Sequence, residues 1–308
     1  MQRFTNLPTL VGGIALCLFL FVQGIYPSDN GVVFGEDAPQ DSQHTNSAGY
    51  DGKKIVYRED IVYGRVHGAG LLADIAYPEP ADPLPVILSV HGGRWQGGHK
   101  RDASAIDVRE WASWGFFAMS IDYRLVGVSP APACYQDLQC AIRYLHAHQK
   151  QLNIDPSRIY LIGQSAGGHL VTLAATLGDG PFRRTGGWKD ASNEIAGIIS
   201  VAANYELNSL SWGKIWNPSA GDPELARHLA SPVNHVRKEL VPILIIHSDN
   251  DQSVPIENAL LMVDSLKEVG ADYVFHRYSS AGHMGITEEV KKKSRNFINR
   301  YNTKTTTN

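Results

Sequence analysis

From Lys54 to Asn302 short apolar runs alternate with stretches of helical periodicity, and that alternation leaves few folds open. The runs "KIVYREDIVYGRV" and "LLADIAYP" read as two early strands, the first through its β-branched and aromatic alternation. Six more, "LPVILSVHGG", "GFFAMSIDYRL", "SRIYLIGQS", "EIAGIISVAANY", "VPILIIHSD" and "DYVFHRYSS", are nearly continuous in apolar residues, and most close on Gly, Asn, Asp or Ser. Strands buried on both faces look like this. Helical patterns fill the gaps: "ASAIDVREWASW", "CYQDLQCAIRYLHAHQKQL", "SAGGHLVTLAATL", "IENALLMVDSLKEVG" with Gly270 at its end, and "ITEEVKKKSRNFINRYN". The expectation is an α/β fold, a mostly parallel eight-stranded sheet with helices on both faces. A chain of 308 residues, 43 % of them hydrophobic, has enough core for one such domain over 53–302. The stretch 180–231 is looser and holds Trp212 and Trp216; a small lid facing the substrate and a plain surface excursion are both open for it.

The first 26 residues place Arg3 ahead of an uncharged apolar run, the layout of a signal peptide or an N-terminal anchor. The run is shorter than the roughly 18 residues a membrane span needs. Export to the periplasm or medium is expected, with membrane contact only through that segment. Residues 27–52 are polar and turn-rich and read as a flexible spacer, and 303–308 as a disordered tail. Cys17 falls in the leader. Cys134 and Cys140 lie six apart along a helical pattern, which separates their Cα atoms by about 9 Å. That exceeds the roughly 7 Å a disulfide tolerates, so two buried thiols are expected unless Cys134 precedes the helix. A net charge of -3 with Lys291, Lys292 and Lys293 as the main basic block points away from nucleic acid. The 12 histidines are scattered, with no H-E-x-x-H spacing, so no metal site is read.

One pentapeptide joins a strand pattern to a helix pattern. Gly163-Gln164-Ser165-Ala166-Gly167 follows "IYLI" and opens "SAGGHLVTLAATL", so Ser165 is presented at the carboxyl edge of the sheet, where open α/β sheets bind ligands. A sharp strand-to-helix turn strains the backbone at the serine, and side chains on either flank would clash, which accounts for both glycines. A serine hydroxyl needs a base to take its proton and a third group to hold that base's tautomer. "HSDNDQSVP" places Asp249 and Asp251 just past a buried strand, and "SSAGHMG" places His283 just past the last one. The order Ser165, Asp251, His283 fits the α/β-hydrolase arrangement. Asp251 is preferred because Asp249 sits close enough to its strand to serve the turn. His247, on the strand, and His169, four residues into the helix, read as packed structural histidines. A neutral base is required, which predicts activity falling on the acid side.

Charge developing on a carbonyl oxygen must be met by fixed donors. "HGGRW" follows the strand "PVILSV", the place such donors occupy in this fold. The amides of Gly93, Arg94 and Ala166 are expected to form the hole, with Gly92 shaping the turn and His91 bracing it. Trp95, Trp212 and Trp216, with Tyr205, are candidates for an aromatic wall against the substrate.

The segments "HGGRW", "IDYRL", "GQSAGGHL", "SPVNHV", "HSDNDQSVP" and "AGHMG" occur in the order of the esterase and lipase branch of the α/β-hydrolase superfamily. Over residues 54–301 the chain resembles bacterial acetyl xylan and feruloyl esterase-like carboxylesterases, and it is close to hormone-sensitive-lipase-like ones. The resemblance implies hydrolysis of short acyl esters, carried on small molecules or carbohydrates, with no metal or organic cofactor. Arg94 stands where many relatives have a third glycine, and its side chain is expected to narrow the site or meet a polar substrate. The H-G-G-x-W form is shared with formamidases, so amide cleavage by the same triad stays open, as does a non-catalytic binding protein on the same scaffold. The large lids of lipases are not evident, which argues against long-chain lipids.

Overall fold

The strands at 117–121, 197–201 and 243–248 are buried at every residue and lie inside the sheet, and the partly exposed one at 273–278 lies at its edge. The computed structural model describes residues 44–48, 52–79 and 82–302; the leader with Cys17, most of the spacer and the tail lie outside the described residues. The strands are β1 (His44–Ala48), β2 (Lys54–Val66), β3 (Ala69–Pro78), β4 (Leu84–Val90), β5 (Phe117–Ile121), β6 (Ile154–Gln164), β7 (Gly197–Val201), β8 (Ile243–Ser248) and β9 (Tyr273–Tyr278). They form one sheet in the order β1-β2-β3-β5-β4-β6-β7-β8-β9. β1, β2, β3 and β5 pair antiparallel, and from β5 through β9 every pairing is parallel. The α/β-hydrolase architecture expected from the sequence is therefore present, with nine strands among the described residues instead of eight. The extra one, β1, lies in the segment read as a flexible spacer. Its residues "HTNSA" offer no apolar pattern, but an exposed edge of β2 pairs through main-chain groups and asks little of side chains.

Alternate residues of the central strands enter separate cores. Val86, Leu88, Leu161, Ile198 and Ile245 pack with α2 (Ala133–Ala147), α3 (Ala166–Leu177) and α5 (Ile256–Val269). Ile87, Ile162, Ile199 and Ile246 pack on the other face with α1 (Val108–Ser113) and α6 (Glu288–Asn302). Truncating one of these, such as Leu161→Ala, should cost about 2–5 kcal/mol. Cys134 and Cys140 are free and buried on α2, so the bridged alternative does not occur.

Two helical expectations change. The first helix is only six residues long, starting at Val108 behind Asp107, whose carboxylate accepts from the Arg109 amide. Ahead of it Asp102 bonds the amides of His99 and Ser104 and winds 99–104 into turns. The looser stretch holds α4 (Pro223–Leu229), capped by Asp222 and burying none of its residues, so it carries no apolar stripe for periodicity to find.

Candidate active site

β6 stops at Gln164, α3 starts at Ala166, and Ser165 takes up the whole change of direction at φ 53 and ψ -117. That conformation is costly for a residue with a side chain and persists only where its surroundings enforce it. Here the Ser165 amide donates to the carbonyl of Val201 on β7 at 2.8 Å. A Cβ on Gly163 would run into the Gly167 backbone, and one on Gly167 into the Val90 carbonyl oxygen. Both glycines are thus required by close backbone approach, as the pentapeptide suggested.

The turn after β8 carries both candidate acids and separates them. Asp251 is buried; its Oδ1 accepts from the amides of Ser253 and Val254 at 2.8 and 2.9 Å, and its Oδ2 accepts from His283 Nδ1 at 2.8 Å. Burial alone would raise its pKa, but the hydrogen bonds from His283 and these amides hold the carboxyl below its ordinary value. Asp249 turns outward to an ion pair with Arg277 at 2.5 Å. The geometry therefore pairs His283 with Asp251. His247 is fully buried, bonds the Val254 carbonyl at 2.9 Å, and has its pKa pushed down by burial. His169 bonds the Ala230 carbonyl at 2.7 Å, and burial pushes its pKa down to about 4. Both are packed, hydrogen-bonded histidines, as expected.

Ser165 and His283 are not hydrogen-bonded to each other. His283 Nε2 instead faces Gln164 Nε2 at 3.1 Å, and that amide also donates to the Met284 carbonyl at 2.9 Å. Sequence reasoning passed over Gln164. Its signal was a long polar side chain closing the apolar run 159–163.

The loop after β4 turns sharply at the three residues expected to hold or flank the donors. Gly93, Arg94 and Trp95 all have positive φ, at 99, 53 and 59. Among the described residues the Gly93 and Arg94 amides meet no acceptor, and the Ala166 amide opens α3, where no intrahelical acceptor exists. These three amides thus have no protein acceptor among the described residues. Underneath, the Gly92 amide donates to Ser104 Oγ at 2.8 Å, and His91 Nδ1 bonds the Gly92 carbonyl at 2.8 Å. Tyr123 stacks on the His91 ring with centroids 4.1 Å apart, and its hydroxyl donates to the carbonyls of His91 and Gly92 at 3.1 Å each. On either side of Tyr123, Asp122 pairs with buried Lys100 at 2.8 Å and Arg124 with buried Asp137 at 2.7 Å. The polar run "DYR" directly after β5 was the signal for these braces.

Of the aromatic candidates, Trp95, Trp216 and Tyr205 are buried, and Tyr205 hydrogen-bonds Ser200. Trp95 meets Trp216 and His169 edge-on at 5.3 and 5.0 Å. Trp212 stays partly exposed, donates from Nε1 to the Ser253 carbonyl at 3.0 Å, and lies 5.6 Å from the Arg94 guanidinium. The loose stretch thus folds onto the Trp95 side of the site. Among the described residues no group of three or more His, Cys, Asp or Glu is arranged to hold a metal ion.

Solved structures share this architecture. A truncated carbohydrate esterase from gut microbiota superposes with a TM-score of 0.72 at 22 % identity, over 83 % of this chain and 100 % of that one. At that identity the likeness concerns the fold. An acetyl ester-xyloside bifunctional hydrolase from Caldicellulosiruptor lactoaceticus gives 0.67 at 25 % identity, over 79 % of this chain and 95 % of its own. In sequence, the probable carboxylic ester hydrolase LipM of Mycobacterium tuberculosis is 27 % identical over 239 residues, and esterase LipC of the same organism 26 % over 246. They match 72 % and 75 % of this chain, which spans 55 % and 60 % of their own lengths. The BD-FAE family profile matches residues 73–266, well over half of the chain and all of β4 through α3, and the chain belongs to that family.

Proposed function

We propose that this chain is a serine carboxylic ester hydrolase acting on short acyl esters, acetyl or feruloyl in type, including those carried on carbohydrates. The observation that carries the reading is the 2.8 Å contact between His283 and buried Asp251 at the same sheet edge as the strained Ser165 turn. Similarity to LipM, LipC and the acetyl ester-xyloside hydrolase supports the ester class.

In this mechanism the proton of Ser165 Oγ passes to His283 Nε2 as Oγ bonds the ester carbonyl carbon. Asp251 steadies the imidazolium through Nδ1, and the amides of Gly93, Arg94 and Ala166 meet the oxyanion. The imidazolium then returns its proton to the alkoxide as the carbon–oxygen bond breaks, and water clears the acyl group from Ser165 by the same route. The leader and spacer make export part of the reading, tested by finding the activity outside the cytoplasm.

The test is one preparation assayed on acetylated xylan, methyl ferulate, short nitrophenyl esters and N-formylkynurenine, alongside labelling by a fluorophosphonate. Esters are cleaved, Ser165 is labelled, and Ser165→Ala falls to near background. An active Ser165→Ala, or a preference for the formamide, overturns the reading.

A further inference from the structure

Gln164 sits where three loops of the site meet. Its Nε2 donates to the Met284 carbonyl at 2.9 Å and stands 3.1 Å from His283 Nε2, while its Oε1 occupies the space a Cβ on Gly92 would take. It therefore touches the histidine loop and the loop of amide donors while belonging to the nucleophile turn. The residue is only 6 % exposed, and a buried carboxamide costs free energy unless its hydrogen bonds are used. With the Nδ1 hydrogen of His283 given to Asp251, Nε2 carries the lone pair, and the Gln164 N–H donates to it.

We infer that Gln164 is a positioning residue for the base: it holds His283 with a bare Nε2, ties the histidine loop to the nucleophile turn through Met284, and yields Nε2 to the Ser165 hydroxyl when substrate enters. This rests on the serine hydrolase reading above. Once Nε2 is protonated, two donors would face each other, so the contact lasts only while the base is neutral; the Met284 bond persists throughout. The titratable groups facing the imidazole are Asp251 at Nδ1 and, behind it, His247, whose Nε2 lies 3.5 Å from Asp251 Oδ2.

Two variants of the full chain test this. Gln164→Met keeps the bulk and loses both hydrogen bonds; kcat and the rate of fluorophosphonate labelling fall about tenfold while KM stays within about twofold. Gln164→Glu is nearly isosteric and sets a carboxylate against Nε2, favouring the imidazolium. It moves the acid limb of kcat/KM, and of labelling, to higher pH by about one unit. A residue that merely filled space would leave kcat and the labelling rate of Gln164→Met unaltered. Labelling of Gln164→Met at the unaltered rate, or an unmoved limb in Gln164→Glu, overturns the inference, and the second variant decides alone if the first does not fold. An unaltered chain whose Ser165 takes no label removes the hydrolase reading itself, a distinguishable result.

Discussion

The turn at Ser165 and the loop at His283 supply the two halves of the proposed site by different physics. The turn is made of backbone: Ser165 is pinned by the Val201 carbonyl, walled by Gly163 and Gly167, and buried. The loop after β9 is made of side-chain hydrogen bonds. Ser279, Ser280 and Ala281 are exposed, and the loop hangs on Ser248, Asn250, Asp251 and Gln164. Close packing leaves a part no alternative position, whereas a few hydrogen bonds leave it adjustable. In the proposed reaction His283 trades Gln164 for the Ser165 hydroxyl, an exchange that suits the second kind of support.

The largest expected effect comes from the carboxylate that supports the histidine loop. Asp251→Asn leaves the shape but removes the charge behind His283, and kcat should fall about 10³- to 10⁴-fold. Asp249→Asn, which breaks only a rim ion pair with Arg277, should stay within about threefold. Equal losses in the two would show that the outward carboxylate takes part, and the division between turn and loop would fail.

Next comes the contrast in packing. Gly167→Ala drives a methyl group into the Val90 carbonyl, which lies in a central strand and cannot retreat; urea unfolding should show a loss of about 3 kcal/mol or more. Gly285→Ala in the histidine loop meets nothing nearer than the Ala103 carbonyl at 3.8 Å and should cost under about 0.5 kcal/mol. Similar losses at both would mean that the loop is packed as rigidly as the turn.

The turn side also buries neutral imidazoles, which predicts how it fails in acid. His169, one helical turn beyond Ser165, has its pKa lowered by burial from 6.5 to about 4. Below pH 6.5 the unfolded chain takes up a proton that the folded chain refuses, so stability is full above that value and declines until about pH 4. The loss from this residue is about 3 kcal/mol, at roughly 1.4 kcal/mol per pH unit. His91 and His247, also lowered by burial, steepen the decline. Denaturation midpoints measured across this window should fall with pH, and His169→Gln should remove about one proton from the slope. A flat profile would mean these rings are charged in the folded state.

The same two regions differ in how far they could be read from the sequence. Gly163 and Gly167 flank Ser165 at fixed spacing because a backbone clash enforces it, so the turn was legible locally. Asp251 and His283 were legible from position, each lying just past an apolar run. Gln164, Tyr123 and Asn250 were not. A polar residue after an apolar run marks Gln164 and Tyr123 as positions of interest, but the partners of these three are 120, 31 and 32 residues away in the chain, and no local pattern identifies a hydrogen-bond partner at that range. β1 and α4 escaped for the opposite reason: one pairs through main-chain groups, and the other buries nothing, so neither needs an apolar period.

The smallest effect isolates the loop's own support. Asn250 Oδ1 accepts from the Gly282 amide at 2.7 Å and from the Ser248 hydroxyl at 2.9 Å, and Ser248 Oγ in turn accepts from the Ala281 amide at 2.8 Å. Asn250→Ala removes the acceptor at the centre of this chain. Because Gly282 is exposed enough to turn to water, stability should drop by only about 1 kcal/mol. The histidine one residue on should lose its fixed position, with kcat down about three- to tenfold and KM little changed. Asn250→Asp keeps an oxygen in the same place and should recover most of that loss. Loss of stability without loss of kcat would put the loop's hydrogen bonds in the service of folding alone and leave Gln164 and Asp251 to orient the ring, so the pair of measurements separates holding the loop from aiming the base.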